Sequence, residues 1–160
     1  MNELLPLANR IGELLKERRE TVALAESTTG GLLSAALLSV PGASKYFLGG
    51  AVIYTRKSRG LLLDLPGDPP PGMRSSTEPY ALYLAAAVRG RFAATWGIGE
   101  TGAAGPSGNK HGDKAGHSCI AVSGPVDAAV TVETGNPDRV TNMRAFSLAA
   151  LELLAKSLAR

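Results

Sequence analysis

The run Ala25-Glu26-Ser27-Thr28-Thr29-Gly30-Gly31 constrains this chain more than any other segment. A short apolar strand pattern, 21–24, leads into it, and an apolar helical pattern, 32–40, leads out. Chemistry in α/β proteins is often placed at such a strand-to-helix turn. The first N–H groups of a helix have no partner within it, and their partial positive charge favours an oxyanion, a phosphate or an alkoxide. Ser27 is therefore the first candidate nucleophile. The plainer role for Ser27, Thr28 or Thr29 is a helix N-cap, which the same residue types serve well.

The rest of the chain fits one α/β domain over residues 1–160. Leu4, Leu5, Ala8, Ile11, Leu14 and Leu15 recur at helical spacing, so 3–18 reads as an amphipathic helix. Strands are expected at 21–25, 50–55, 96–101, 117–123 and 126–133, the last two joined as a hairpin at Gly124-Pro125. A short helix is expected over 56–65, followed by a turn-rich stretch to Gly72 with four prolines and two glycines. Ser75 and Glu78 have the S-x-x-E spacing of a capping box, so a helix is expected over about 77–94. Asn136-Pro137-Asp138 opens a final helix that runs nearly to Arg160. Strands alternating with helices, plus a late hairpin, imply a mixed sheet with helices on its faces.

Composition narrows the function classes. With 44% hydrophobic and 19% charged residues, 160 residues are enough for a real core. The net charge is +3, but the eleven arginines and six lysines are scattered, with tight groups only at Arg18-Arg19 and 56–59. A dedicated nucleic-acid surface shows a denser stripe, so no nucleic-acid partner is expected. No segment is long and apolar enough for a membrane span, and residues 1–10 do not read as a signal peptide. The single cysteine, Cys119, excludes an internal disulfide and reads as a buried small hydrophobe in a strand; a cytoplasmic protein is the expectation.

Three short motifs are weak. Gly97-Ile98-Gly99-Glu100-Thr101-Gly102 matches G-x-G-x-x-G but lacks the strand before it and the helix after it that dinucleotide binding needs. Ser107 and Lys110 have S-x-x-K spacing, but in a glycine-rich loop rather than on a helical turn. His111, Asp113 and His117 make no four-ligand set and read as solvated loop residues, so no metal is expected. The loop 101–116 is more informative as a whole: its glycines let backbone approach a ligand, and successive free N–H groups can form an anion nest.

Taken in order, A-E-S-x-T-G-G, V-P-G-A-S (40–44), a strand ending in Tyr54, T-G-x-A-G-P-x-G (101–108), and Gly135-Asn136 with Arg139 and Arg144 resemble the CinA C-terminal domain family over about 21–154. Its characterised members are nicotinamide-nucleotide amidases. Some members carry an additional N-terminal domain, for which this chain has no room. The resemblance implies a three-layer α/β/α sandwich that hydrolyses the carboxamide of nicotinamide mononucleotide to nicotinic acid mononucleotide and ammonia, with no cofactor and no metal. It implies Ser27 as nucleophile and Tyr54 beside it. Thr29, Gly30 and Gly31 would supply N–H donors to the oxyanion. Thr101, Gly102, Ala104, Gly105 and Arg139 would hold the nucleotide. A homo-oligomer is expected, with apolar helical surface such as 82–94 as its interface.

The family's catalytic lysine falls five residues after the tyrosine, and this chain has Arg59 there. A lysine amine can be made neutral by burial and accept the serine proton, whereas guanidinium stays protonated. Lys57 is the obvious stand-in, provided that 57–59 is extended; on a helix the two residues lie about 200° apart. Other departures are Thr28 where cysteine is frequent, Glu100 where relatives are often apolar, and His117 where threonine is common. A Glu100 carboxylate near the loop would disfavour an approaching phosphate unless Arg139 or Arg59 offset it. Two expectations follow: a serine amidohydrolase, or a domain that keeps the site and binds a nucleotide or a protein partner without turnover.

Overall fold

The computed structural model describes all 160 residues, Met1–Arg160. Strand β1 (Val22–Glu26) is the parallel centre of a five-stranded sheet and is buried along its whole length. It pairs in parallel with β2 (Phe47–Val52) on one side and β3 (Trp96–Ala103) on the other. Antiparallel β4 (His117–Ser123) and β5 (Ala128–Glu133) follow, giving the order β2-β1-β3-β4-β5.

Alternation along β1 sorts the two faces. Val22 and Leu24 join one core with Ile11 and Leu15 of α1 (Leu5–Arg18), Leu33 and Leu37 of α2 (Leu32–Leu38), and Leu151 and Leu154 of α5 (Arg139–Leu158). Ala23 and Ala25 face a second core with Leu63 of α3 (Arg56–Leu63) and Tyr80, Leu84 and Val88 of α4 (Glu78–Phe92). Helices thus cover both faces of a mixed sheet, the expected three-layer α/β/α architecture. Truncating a core leucine such as Leu24 to alanine would cost about 2–5 kcal/mol.

Small residues on the α4 face let that helix sit close to the sheet. A Cβ at Gly97 would lie 2.0 Å from the Ala85 carbonyl oxygen, and one at Gly99 2.2 Å from that of Ala81. The glycines of the G-x-G-x-x-G match at these positions therefore make a packing notch for α4.

Boundaries differ from the sequence expectations where packing overrides local preference. Strand β2 spans Phe47–Val52, three residues earlier at each end than the expected 50–55, and runs through Gly49 and Gly50. The Phe92 ring stands 2.4 Å from where a Cβ of Gly49 would be, and Ser34 Oγ 2.0 Å from that of Gly50. Strand β3 runs on to Ala103, which pairs with His117, so the connecting loop is shorter than expected. The N-cap of α4 is Thr77, whose Oγ1 accepts the Tyr80 N–H, and not Ser75. The reciprocal capping box of this chain lies instead at Thr55 and Ser58, opening α3. Asp138 caps α5 through the Thr141 N–H, as the Asn136-Pro137-Asp138 signal suggests. No helix is long and apolar enough to cross a membrane.

Candidate functional site

The turn that carries Ser27 is built on two buried carboxylates. Ala25 pairs with Gly99 in the β1–β3 ladder, so Glu26, the last residue of β1, and Glu100, midway along β3, follow on neighbouring strands. Both are almost fully buried, at 1% and 0% exposure. Glu26 caps α2: its Oε2 accepts the N–H groups of Gly31 (2.9 Å) and Leu33 (3.3 Å), and its Oε1 those of Ser34 (2.8 Å) and the Ser34 hydroxyl. Glu100 Oε2 accepts the N–H groups of Ser27 and Thr29, and Oε1 accepts the hydroxyls of Thr28 and Ser118. The Thr29 hydroxyl lies between them, 2.8 Å from Glu26 and 3.1 Å from Glu100.

This corrects the expected oxyanion donors. The N–H groups of Thr29 and Gly31 end on these carboxylates, and that of Gly30 on the Ser27 carbonyl. From Ser27 to Ser34 the Thr28 N–H alone has no acceptor within the chain. The Ser27 hydroxyl likewise bonds nothing in the protein, and the residue keeps 9% exposure. Glu100 does not stand in the way of a phosphate; it faces inward and fixes the serine turn. Neither carboxylate is expected from the sequence to build the turn, since only the pairing of β1 with β3 brings Glu100 to it.

Tyr54, just beyond β2, is half exposed and forms a wall of a cavity of about 200 Å³ with Thr28, Gly102, Ala104, Gly105 and Arg139. Arg139, at the first turn of α5, donates to the Tyr54 hydroxyl (3.1 Å) and to the Gly105 carbonyl (2.7 Å). Its guanidinium carbon lies 5.7 Å from the Tyr54 ring centre, and no carboxylate pairs with it. The N–H groups of Ala104, Gly105, Ser107 and Gly108 bond no other group of the chain. Gly105 has φ +110°, and a Cβ there would meet the Pro137 carbonyl at 2.5 Å. Buried Asn142 fixes this wall by donating to the carbonyls of Ala104 and Asn136, both at 2.7 Å. Thr101 is buried, and its hydroxyl oxygen accepts the Ser76 N–H at 3.1 Å, so it braces the approach to α4.

Residues 56–63 are helical, which settles the geometry of the two basic candidates. Lys57 and Arg59 lie on opposite sides of α3, and Lys57 lines neither cavity beside Tyr54. Arg59 is held by a bond from Nη1 to the Gly67 carbonyl (3.2 Å) and by the Tyr80 ring, 5.6 Å from its guanidinium carbon. Its Nε is buried without a hydrogen-bond partner. It lines a second cavity, of about 270 Å³, that shares Tyr54 with the first.

His117 is not a solvated loop residue. It is buried at the start of β4, with Nδ1 on the Glu133 carboxylate and Nε2 2.9 Å from the Ser76 carbonyl. Burial opposes its charging, but these acceptors and Asp113 together raise its pKa. Asp113 takes a two-pronged bond from Arg74 (2.6 and 3.1 Å), which holds its carboxyl down to about 2. Cys119 is buried as expected, and burial pushes its thiol up. No three or more His, Cys, Asp and Glu side chains are grouped to hold a metal ion.

The sequence profile of the CinA C-terminal domain matches residues 4–158. A CinA-like protein of Desulforapulum autotrophicum is 35% identical over 156 residues, covering 96% of this chain and 37% of that protein. A CinA-like protein of Prochlorococcus marinus is 40% identical over 119 residues, 74% of this chain and 28% of the relative. The chain thus spans little more than a third, at most, of these curated relatives. Among solved structures, the competence/damage inducible protein CihA from Agrobacterium tumefaciens superposes with a TM-score of 0.88 at 26% identity, covering 98% of this chain and 96% of that one. The competence damage-inducible protein A from Klebsiella pneumoniae shares the fold, with a TM-score of 0.90 at 22% identity over 98% of both chains.

Proposed function

The chain belongs to the CinA C-terminal domain family, and from that premise we propose that it is a serine amidohydrolase acting on the carboxamide of nicotinamide mononucleotide. The observation that carries this reading is the Ser27 hydroxyl, unbonded on a turn held by Glu100 and next to the one unclaimed N–H, that of Thr28. Ser27 Oγ attacks the carboxamide carbon. The oxyanion that forms takes the Thr28 N–H, a donor worth most where charge develops. Tyr54 adds a second donor: its oxygen already accepts from Arg139, so its O–H proton is free to point at substrate. The serine proton passes to the amide nitrogen, the C–N bond breaks, and ammonia leaves. Water then cleaves the acyl ester and restores Ser27. Arg139 and the unbonded N–H groups of 104–108 hold the nucleotide phosphate.

A second reading has its own observation. Arg59 stands where the family has its lysine base, and helix α3 turns Lys57 away from it. With no neutral amine to carry the proton, turnover is slow or lost, and the domain binds a nucleotide without consuming it. Ammonia release from nicotinamide mononucleotide, compared among the wild type, Ser27→Ala and Arg59→Lys, separates the two.

A further inference from the structure

Tyr54 is the common wall of two cavities that otherwise share no residue. The first is the nucleotide cradle with Arg139. The second is lined by Arg56, Arg59, Arg74 and Lys110, with Asp68 its sole carboxylate. Two of these cations are already matched: Arg56 pairs with Asp68 at 2.7 Å, and Arg74 with Asp113. Arg59 and Lys110 have no carboxylate partner. Arg59 is also fixed in place, between the Gly67 carbonyl and the Tyr80 ring, with one of its five N–H donors used. A positioned guanidinium with spare donors and an unpaired ammonium, both lining one cavity of about 270 Å³, make an arrangement suited to a tetrahedral oxyanion.

We propose that this cavity is a second anion subsite, in which Arg59 and Lys110 bind a phosphate group separate from the one held at Arg139. A single ligand filling both cavities would be a nucleotide bearing two anionic groups, one on each side of Tyr54, as in a nucleoside bisphosphate, whereas a mononucleotide fills only the Arg139 cavity. The substitution that removes the family's base thereby gains a role in ligand choice. The inference rests on the nucleotide reading of the Arg139 cavity, but its test does not depend on turnover.

The experiment is a titration with inorganic phosphate followed by amide NMR shifts, which also report whether each variant is folded. Two sets of shifts are expected in the wild type, one around Arg59, Gly67 and Lys110 and one in 102–108. Arg59→Met and Lys110→Met should each weaken the first set by about tenfold or more and leave the second intact. Saturation with nicotinamide mononucleotide should abolish the second set alone. Shifts confined to 102–108, or a first set unchanged in the double variant, would overturn the proposal. So would displacement of phosphate from both places by the mononucleotide, since the cavity would then hold the mononucleotide's own phosphate. Failure of the amidase reading shows only as absent ammonia release and leaves these shifts unaffected.

Discussion

Glu100 lies directly beneath the candidate nucleophile: its Oε2 accepts the Ser27 N–H and, two residues on, the Thr29 N–H, both at 2.9 Å. One carboxylate oxygen therefore sets the backbone on both sides of Thr28. That leaves the Thr28 N–H as the unclaimed donor of the turn. Glu26 completes the arrangement by capping α2, so the charge at this helix end is answered from inside the protein.

Glu100→Ala strands two buried N–H groups and should cost about 2–4 kcal/mol of stability. Glu100→Gln should cost much less, because its carbonyl can take both N–H groups while its amide donates to the Thr28 and Ser118 hydroxyls. Urea unfolding of the two variants checks the difference. Equal midpoints would show that the carboxylate does not hold the turn.

The His117 network predicts a loss of stability toward alkaline pH. Its folded pKa lies above the ordinary value near 6.5, because the acceptors at both ring nitrogens outweigh burial. The stabilisation is therefore complete below about pH 6.5 and disappears as pH climbs through the raised folded value. Melting temperature measured from about pH 6 to about pH 9 should fall less in His117→Gln than in the wild type. Parallel curves would contradict the account.

Asp113 acts at the opposite end. Arg74 holds its carboxyl down to about 2, so its contribution is present above the ordinary carboxyl value and is lost as pH falls through about 2. Arg74→Met should raise the midpoint of acid unfolding. An unmoved midpoint would mean that the pair contributes nothing measurable.

Helix α3 separates the two basic candidates functionally. Lys57→Ala should leave ammonia release unchanged, since helix α3 turns its side chain to the side opposite Arg59. Arg59→Lys should raise kcat by about a hundredfold, the scale of one positioned base, while weakening any phosphate bound beside it. A drop in rate in Lys57→Ala would restore it as the proton acceptor.

Arg139 spans Tyr54 and Gly105 with no carboxylate of its own. Arg139→Ala should weaken nicotinamide mononucleotide binding by about tenfold to a hundredfold, the loss of one charge-assisted contact. Calorimetric titration reads this directly, and unchanged affinity would remove the phosphate from this cavity.

The strand-turn-helix at 21–40 was legible because hydrophobic pattern and hydroxyl cluster agree there. Tyr54, Gly102, Ala104, Gly105 and Arg139, far apart in sequence, do meet at one cavity. What stayed hidden depends on contacts across the fold. Strand β2 lies three residues earlier than its expected span of 50–55, because Phe92 and Ser34 pack where side chains at Gly49 and Gly50 would be. Thr29 and Gly31 look like free helix-end donors until Glu100, from the middle of β3, and Glu26, from the end of β1, accept them. His117 looks solvated until β5 brings Glu133 to it.

The central claim is that Ser27 is a nucleophile. The most direct measurement is ammonia release from nicotinamide mononucleotide by the purified protein, with Ser27→Ala beside it and Arg59→Lys to raise a slow rate. The account predicts release in the wild type or Arg59→Lys that falls to background once Ser27 is replaced, with nucleotide binding retained. Release that survives Ser27→Ala, or none in Arg59→Lys despite bound nucleotide, would contradict it.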